Sequence, residues 1–255
     1  MPNGGHICLY SVRAAGQLPW MLVLRSVLFN TAYYLNLIVW MVLAMPSLVL
    51  PRPVLLAIVR AWVRCNLFLL RTVAGIRCEF RGLENIPPGA ILVASKHQSV
   101  WETFALFHVF ADPCYILKRE LMWIPVFGWY AAKQRMVPIN RGARSKAMKD
   151  MNIAAKLEIA EGRQIAIFPE GTRRPPGAEP AYKYGATFLY SELGVPCVPV
   201  ALNSGVHWPR RQFIRRPGTI VLEILPPIPP GLDKAEFAVR LQADIEAASN
   251  RLLPV

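Results

Sequence analysis

The chain has 255 residues, 54% of them apolar, and carries 29 Lys and Arg against 16 Asp and Glu, for a net charge of +13. That length suits one sizeable domain plus an appendage, and the excess of cations attracts phosphate as nucleic acid, anionic lipid or phosphorylated substrate. Nucleic acid is set aside as a partner, because the chain has no recognisable nucleic-acid motif and its cations do not run together among exposed aromatics.

The N-terminal stretch points elsewhere. No Asp or Glu precedes Glu79, whereas Arg13, Arg25, Arg52, Arg60, Arg64 and Arg71 flank apolar segments, the pattern of an anchor on the cytoplasmic face of a membrane. The uncharged residues 26–51 are long enough to cross a bilayer, although Asn30, Thr31, Asn36, Pro46 and Pro51 weaken a simple span, and the stretch is too long for the core of a cleavable leader. The next segment, PRPVLLAIVRAWVRCNLFLLRTVAG, predicts a helix closed by Gly75. On it Arg60, Arg64 and Arg71 fall within about 40° of one another. The expectation is an interfacial helix with its arginine stripe among lipid phosphates; a core helix with three snorkelling arginines is the alternative. Residues 1–75 are accordingly expected to be membrane-anchoring helices, and 76–255 a separate domain.

Beyond Gly75 the pattern alternates. Short β-rich runs occur at 90–94, 114–117, 136–139, 165–168, 197–202 and 219–225, with helical stretches at 143–161 and 183–193, closed by Gly162 and Gly194. This predicts an α/β sandwich around a mostly parallel sheet. PPIPPG (226–231) leads into a last amphipathic helix at 233–252. The aromatic run ELMWIPVFGWYAA (120–132) suits either core packing or an interfacial wall at a membrane. Cys8, Cys65, Cys78, Cys114 and Cys197 form no CxxC pair and read as reduced thiols facing the cytosol.

The chemistry concentrates in LVASKHQSVWETFAL (92–106). Ser99 and Glu102 have the spacing of a capping box. Within a single helix His97 and Glu102 would point about 140° apart. With the helix starting at Ser99, His97 lies on the preceding turn and can fold back toward Glu102. The carboxylate would then accept the Nδ1–H and leave Nε2 free to take a proton. Cap and dyad are compatible, and spacing alone does not choose between them. IAIFPEGTRRPPG sets Glu170, Gly171, Thr172 and Arg173 just past a strand end, where a glycine turn and a guanidinium suit phosphate oxygens. Arg141 in VPINRG and Lys118 in YILKREL follow two further strands. Of the other histidines, His6 falls in a tail, His108 in an apolar helix, and His207 beside Arg210, Arg211, Arg215 and Arg216, a basic cluster suited to phosphate-bearing headgroups.

Taken together and in order, HQSVWE, VPINRG, FPEGTRR and VPVALNSG resemble the four motifs of the glycerolipid acyltransferases, most closely those acting on 1-acylglycerol-3-phosphate (lysophosphatidic acid). The resemblance covers roughly residues 75–225. It implies an acyltransferase-type α/β sandwich preceded by membrane-associated helices. It also implies His97 as general base oriented by Glu102, where the family more often has Asp. Lys118, Arg141, Glu170, Gly171, Thr172 and Arg173 would form the site for the substrate phosphate, and Pro199 would shape the acyl-donor side. The implied reaction transfers an acyl group from acyl-CoA or acyl-carrier protein to the sn-2 hydroxyl, on the cytoplasmic face of the membrane, with no metal or other cofactor and no covalent intermediate. Another lysolipid or glycerol-3-phosphate as acceptor, or a non-catalytic lipid-binding protein of the same fold, remain the alternatives.

Overall fold

A computed structural model describes residues 19–140 and 144–254. Two N-terminal helices, α1 (Pro19–Leu43) and α2 (Arg52–Leu69, extended by a π-turn to Ala74), precede the sheet. Gly75 ends α2 in the left-handed conformation (φ 70°), where a side chain would be strained. A Cβ there would also come within 2.6 Å of Arg25 Nη2.

Seven strands follow among the described residues: β1 (Ile76–Arg81), β2 (Ile91–Ser95), β3 (Pro113–Lys118), β4 (Val137–Ile139), β5 (Gln164–Ile167), β6 (Cys197–Leu202) and β7 (Gly218–Ile224). They form one sheet in the order β1-β7-β6-β2-β5-β3-β4. All neighbours are parallel except β6 and β7. Five strands therefore share one direction, and β1 and β7 run against them. The connecting helices are α3 (Trp101–Val109), α4 (Phe127–Lys133), α5 (Arg144–Ala160), α6 (Tyr184–Leu193), the short α7 (Ser204–His207) and the C-terminal α8 (Lys234–Arg251).

The central strand β2 is buried along its whole length, as a parallel strand covered on both faces must be. Ile91 and Val93 join the core under α2 and α3, with Trp101, Phe104 and Phe110. Leu92 and Ala94 join the opposite core under α5, α6 and α8, with Met151, Leu189 and Phe237. Period-2 alternation thus divides one apolar run between two cores.

Pro199 sits inside β6, where proline normally costs a ladder bond. Its carbonyl accepts Leu225 N–H at 3.0 Å, so its missing N–H also faces β7. Antiparallel pairing there covers only Val200 to Leu202, and no bond to β2 is lost. Pro199 is therefore accommodated as a buried residue of the sheet interior.

The N-terminal helices are tied to each other and to the sheet domain. Asn30 Nδ2 donates to Phe213 O at 2.9 Å, Ser26 Oγ accepts Arg215 N–H at 3.0 Å, and Arg25 Nε donates to Val73 O at 2.9 Å. Arg52 pairs with Asp112 through two bonds of 2.7 and 2.6 Å. The expected arginine stripe is corrected here. Arg60 turns inward and donates to the carbonyls of Phe107 (3.3 Å), Phe110 (3.1 Å) and Ala111 at the end of α3, which have no helical donor of their own. Of the three, Arg64 and Arg71 are solvent-exposed.

Both long helices have the length and apolar character to cross a bilayer, with mean hydropathies of 1.5 and 1.7. The outward side of α1 exposes Trp20, Leu24, Leu28, Leu35, Ile38 and Val42. The 120–132 run is not core either: Trp123, Ile124, Phe127 and Trp129 are exposed, and Tyr130 Oη donates to Met41 O at 2.5 Å, which joins this patch to the end of α1.

Candidate active site

The five strands of common direction end along one edge of the sheet, where α/β folds place their sites. His97 lies two residues past β2. Its Nδ1 is 2.8 Å from Glu102 Oε1, in the first turn of α3. That oxygen also accepts the backbone N–H groups of Gln98 (2.8 Å) and Ser99 (2.7 Å), while Oε2 accepts Ser204 Oγ–H at 2.8 Å from the start of α7. Glu102 is fully buried, and four donors offset the cost of burying its carboxylate. Because ionised Glu only accepts, Nδ1 carries the imidazole proton, and Nε2 has no partner among the described residues.

Cap and dyad therefore coexist, with one oxygen serving both. The capping box is formed in half: Glu102 reaches back to Ser99 N–H, but Ser99 Oγ accepts Trp101 N–H at 3.3 Å, not the amide of Glu102.

His97 is held on other sides as well. Phe168, just past β5, stacks on its ring at 4.0 Å between centroids and 16° between planes. Its carbonyl accepts Arg174 N–H at 2.8 Å. Its own N–H donates to Glu170 Oε2 at 3.1 Å, and Glu170 Oε1 accepts Lys96 Nζ–H at 2.9 Å. The Glu170 carboxylate is therefore buried beneath His97 and paired with Lys96.

Of the expected cations, Lys118 and Arg173 lie along the same edge. Lys118 ends β3, exposed and 3.5 Å from Glu120; Arg141 lies outside the described residues. Gly171 takes the left-handed turn (φ 66°) of the loop after β5, and the exposed Thr172 accepts Arg210 Nη1–H at 3.3 Å. Arg173 lines a cleft of about 210 Å³ with Gln98, Gly205, Arg210 and Arg211. Gly205 packs where a Cβ would meet Gln98 Cβ at 2.9 Å, and its N–H donates to Gln98 Oε1 at 3.0 Å. Arg210, expected in a headgroup-binding cluster with Arg211, Arg215 and Arg216, also meets the Thr172–Arg173 loop, donating to Thr172 Oγ1 and to Arg173 O at 3.2 Å.

His207 is not a second base. Burial pushes its pKa down, and its Nδ1 is engaged with Arg216 O at 3.0 Å. His108 lies against Phe80, ring centroids 5.0 Å apart, and its pKa is also lowered by burial. His6 lies outside the described residues.

The sequence model of the acyltransferase family matches residues 77–203. Among curated proteins, the chain is 41% identical over 169 residues to a 1-acyl-sn-glycerol-3-phosphate acyltransferase of Pseudomonas aeruginosa, spanning 66% of each. The chain belongs to the acyltransferase family. It is also 30% identical over 172 residues to the 1-acyl-sn-glycerol-3-phosphate acyltransferase alpha of Homo sapiens, across 66% of this chain and 60% of that one. The alignments thus span just under two thirds of the length of these relatives. In fold this acyltransferase-family chain resembles the crystal structure of the 1-acyl-sn-glycerophosphate (LPA) acyltransferase PlsC from Thermotoga maritima. The TM-score is 0.75 at 22% identity, over 90% of this chain and 96% of that one. The mixed, mostly parallel α/β sheet expected from the sequence is the fold observed.

Proposed function

We propose that this protein transfers an acyl group from a thioester, acyl-CoA or acyl-carrier protein, to the sn-2 hydroxyl of 1-acylglycerol-3-phosphate, giving phosphatidic acid. The observation that carries the reading is the histidine at the sheet edge with Nδ1 2.8 Å from a buried carboxylate and Nε2 without a hydrogen-bond partner among the described residues. Nε2 accepts the hydroxyl proton as the oxygen attacks the thioester carbonyl. Glu102 stabilises the imidazolium that forms. The tetrahedral intermediate collapses, the C–S bond breaks, and the leaving thiolate takes the proton back from Nε2. No covalent acyl-enzyme and no metal or other cofactor enters this scheme.

Lys118, Arg141, Thr172 and Arg173 are proposed to receive the acceptor phosphate, with Gly171 shaping the turn. The exposed apolar side of α1 and the 121–129 patch are proposed to lie in the membrane interface; both substrates carry acyl chains, and the reacting groups are polar. Residues 1–75 then form the anchor and 76–255 the catalytic domain, on the cytoplasmic face.

The acceptor decides between this reading and its neighbours. Purified protein in phospholipid vesicles is given one acyl donor and, in parallel, lysophosphatidic acid, glycerol-3-phosphate or monoacylglycerol, which lacks the phosphate. Turnover confined to lysophosphatidic acid is expected. Equal turnover of monoacylglycerol would overturn the phosphate assignment, and turnover of glycerol-3-phosphate alone would overturn the acceptor.

A further inference from the structure

Lys96, next to the proposed base, points into the protein. Its side chain is 3% exposed, yet its ammonium meets two carboxylates: Glu170 Oε1 at 2.9 Å and Glu246 Oε1 at 2.6 Å. Glu246 comes from α8, 150 residues further along the chain and outside the matched residues 77–203. Tyr182 Oη also donates to Glu246 Oε1 at 3.0 Å, and the Tyr182 ring lies 5.9 Å from the ammonium. Burial, then the charge of Glu246, push the Tyr182 phenol up, so it stays a donor.

Two carboxylates around one ammonium leave one negative charge in excess. Tyr182 O–H takes up part of it at one end. At the other, Glu170 Oε2 accepts the backbone N–H of His97 at 3.1 Å. A buried ammonium clamped on two sides has little freedom, and neither does Glu170, whose two oxygens are committed to Lys96 and to the peptide bearing the base.

We infer that Glu246 and Lys96 are positioning residues for His97: the C-terminal helix fixes, through Lys96 and Glu170, the backbone from which the base reaches the substrate hydroxyl. The inference rests on the proposed role of His97. Neither residue touches substrate, so their loss lowers the rate of the chemical step and leaves acceptor binding alone. Displacing a base by a fraction of an ångström costs about tenfold or more in rate.

Lys96→Met leaves two buried carboxylates without their cation and is expected to fold poorly. The test therefore uses Glu246, which is less buried. In the full-length enzyme in vesicles, Glu246→Ala is expected to lower kcat about tenfold, with KM for lysophosphatidic acid unchanged within about twofold. Glu246→Gln keeps an acceptor oxygen for Lys96 and is expected to restore most of the rate. Hydrogen–deuterium exchange reads the tether without turnover: in Glu246→Ala the amide of His97 is expected to exchange faster, while amides of β2 and β5 do not change. Unchanged exchange at His97, or a rate loss that appears in KM, overturns the inference. A wild-type protein that transfers no acyl group, but whose His97 amide still loosens in Glu246→Ala, leaves the tether standing and removes the proposed function.

Discussion

Glu102→Gln separates the two duties of one side chain. Glutamine has the same length, and its amide oxygen can take the place of Oε1 and accept from His97 Nδ1, Gln98 N and Ser99 N, all at 2.7–2.8 Å in the wild type. The amide nitrogen then replaces Oε2 and donates to Ser204 Oγ, whose hydroxyl can rotate to accept. The cap and the tautomer survive, and the charge is lost. At 2.8 Å and an effective dielectric of about 20, a carboxylate and an imidazolium attract by about 6 kcal/mol. If the amide dipole keeps about half of this, the transition state loses about 3 kcal/mol, or about 100-fold in kcat. KM should not move, because Glu102 is buried behind the base, and the thermal midpoint should stay close to that of the wild type. Steady-state acyl transfer in vesicles, alongside thermal unfolding, measures all three. A Glu102→Gln enzyme within threefold of wild-type kcat, beside a crippled Glu102→Ala, would reduce Glu102 to a helix cap and refute the dyad.

Other outcomes follow from the same geometry. Burial pushes the Asp112 carboxyl up, but the guanidiniums of Arg52 and Arg163 outweigh it and hold the group below its ordinary value. A carboxyl depressed in the folded state contributes stability that is present above its unfolded pKa of about 4 and lost as pH falls through the folded value. The thermal midpoint should therefore drop between neutral pH and pH 3, and Asp112→Asn should lower it at neutral pH and flatten the drop. Gly75→Ala forces a left-handed residue and a Cβ 2.6 Å from Arg25 Nη2; an unfolding loss of about 1–2 kcal/mol is expected, read by denaturant midpoint. Trp123→Ser with Trp129→Ser removes two exposed indoles and should weaken flotation with phospholipid vesicles while the unfolding midpoint holds.

The central strands were legible because β2, β5 and β6 are buried over their full lengths, so sequence shows them as short unbroken apolar runs. The edge strand β1 was not: Arg77, Glu79 and Arg81 alternate with Ile76, Cys78 and Phe80 between Gly75 and Gly82, so no unbroken apolar run marks it. The limits of α1 were misjudged for an electrostatic reason. Arg25 looks like the flank of an uncharged segment, but it lies within the helix because its guanidinium finds Val73 O. Arg60 looks like a lipid contact for want of any sequence sign that the end of α3 lies beneath it.

In the site, His97, Glu102 and the loop of Arg173 carried a local pattern, a base, an acid and a glycine turn at strand ends. Ser204 stood inside the fourth motif, yet nothing in its neighbourhood pointed to Glu102. Glu246 had no sign at all, because an acidic residue on an amphipathic helix is what a solvated face also shows. Long-range partners of this kind exist only once the sheet has brought β2, β5 and α8 together.

The most direct measurement is acyl transfer to labelled lysophosphatidic acid by vesicles carrying wild-type protein or His97→Ala, with acyl-CoA and acyl-carrier protein supplied separately and the product's sn-2 position analysed. The account predicts sn-2-labelled phosphatidic acid from the wild type with at least one donor, and a loss of at least about a thousandfold in the folded His97→Ala enzyme. Undiminished product from His97→Ala would contradict it, as would no product from folded, vesicle-bound wild type with either donor.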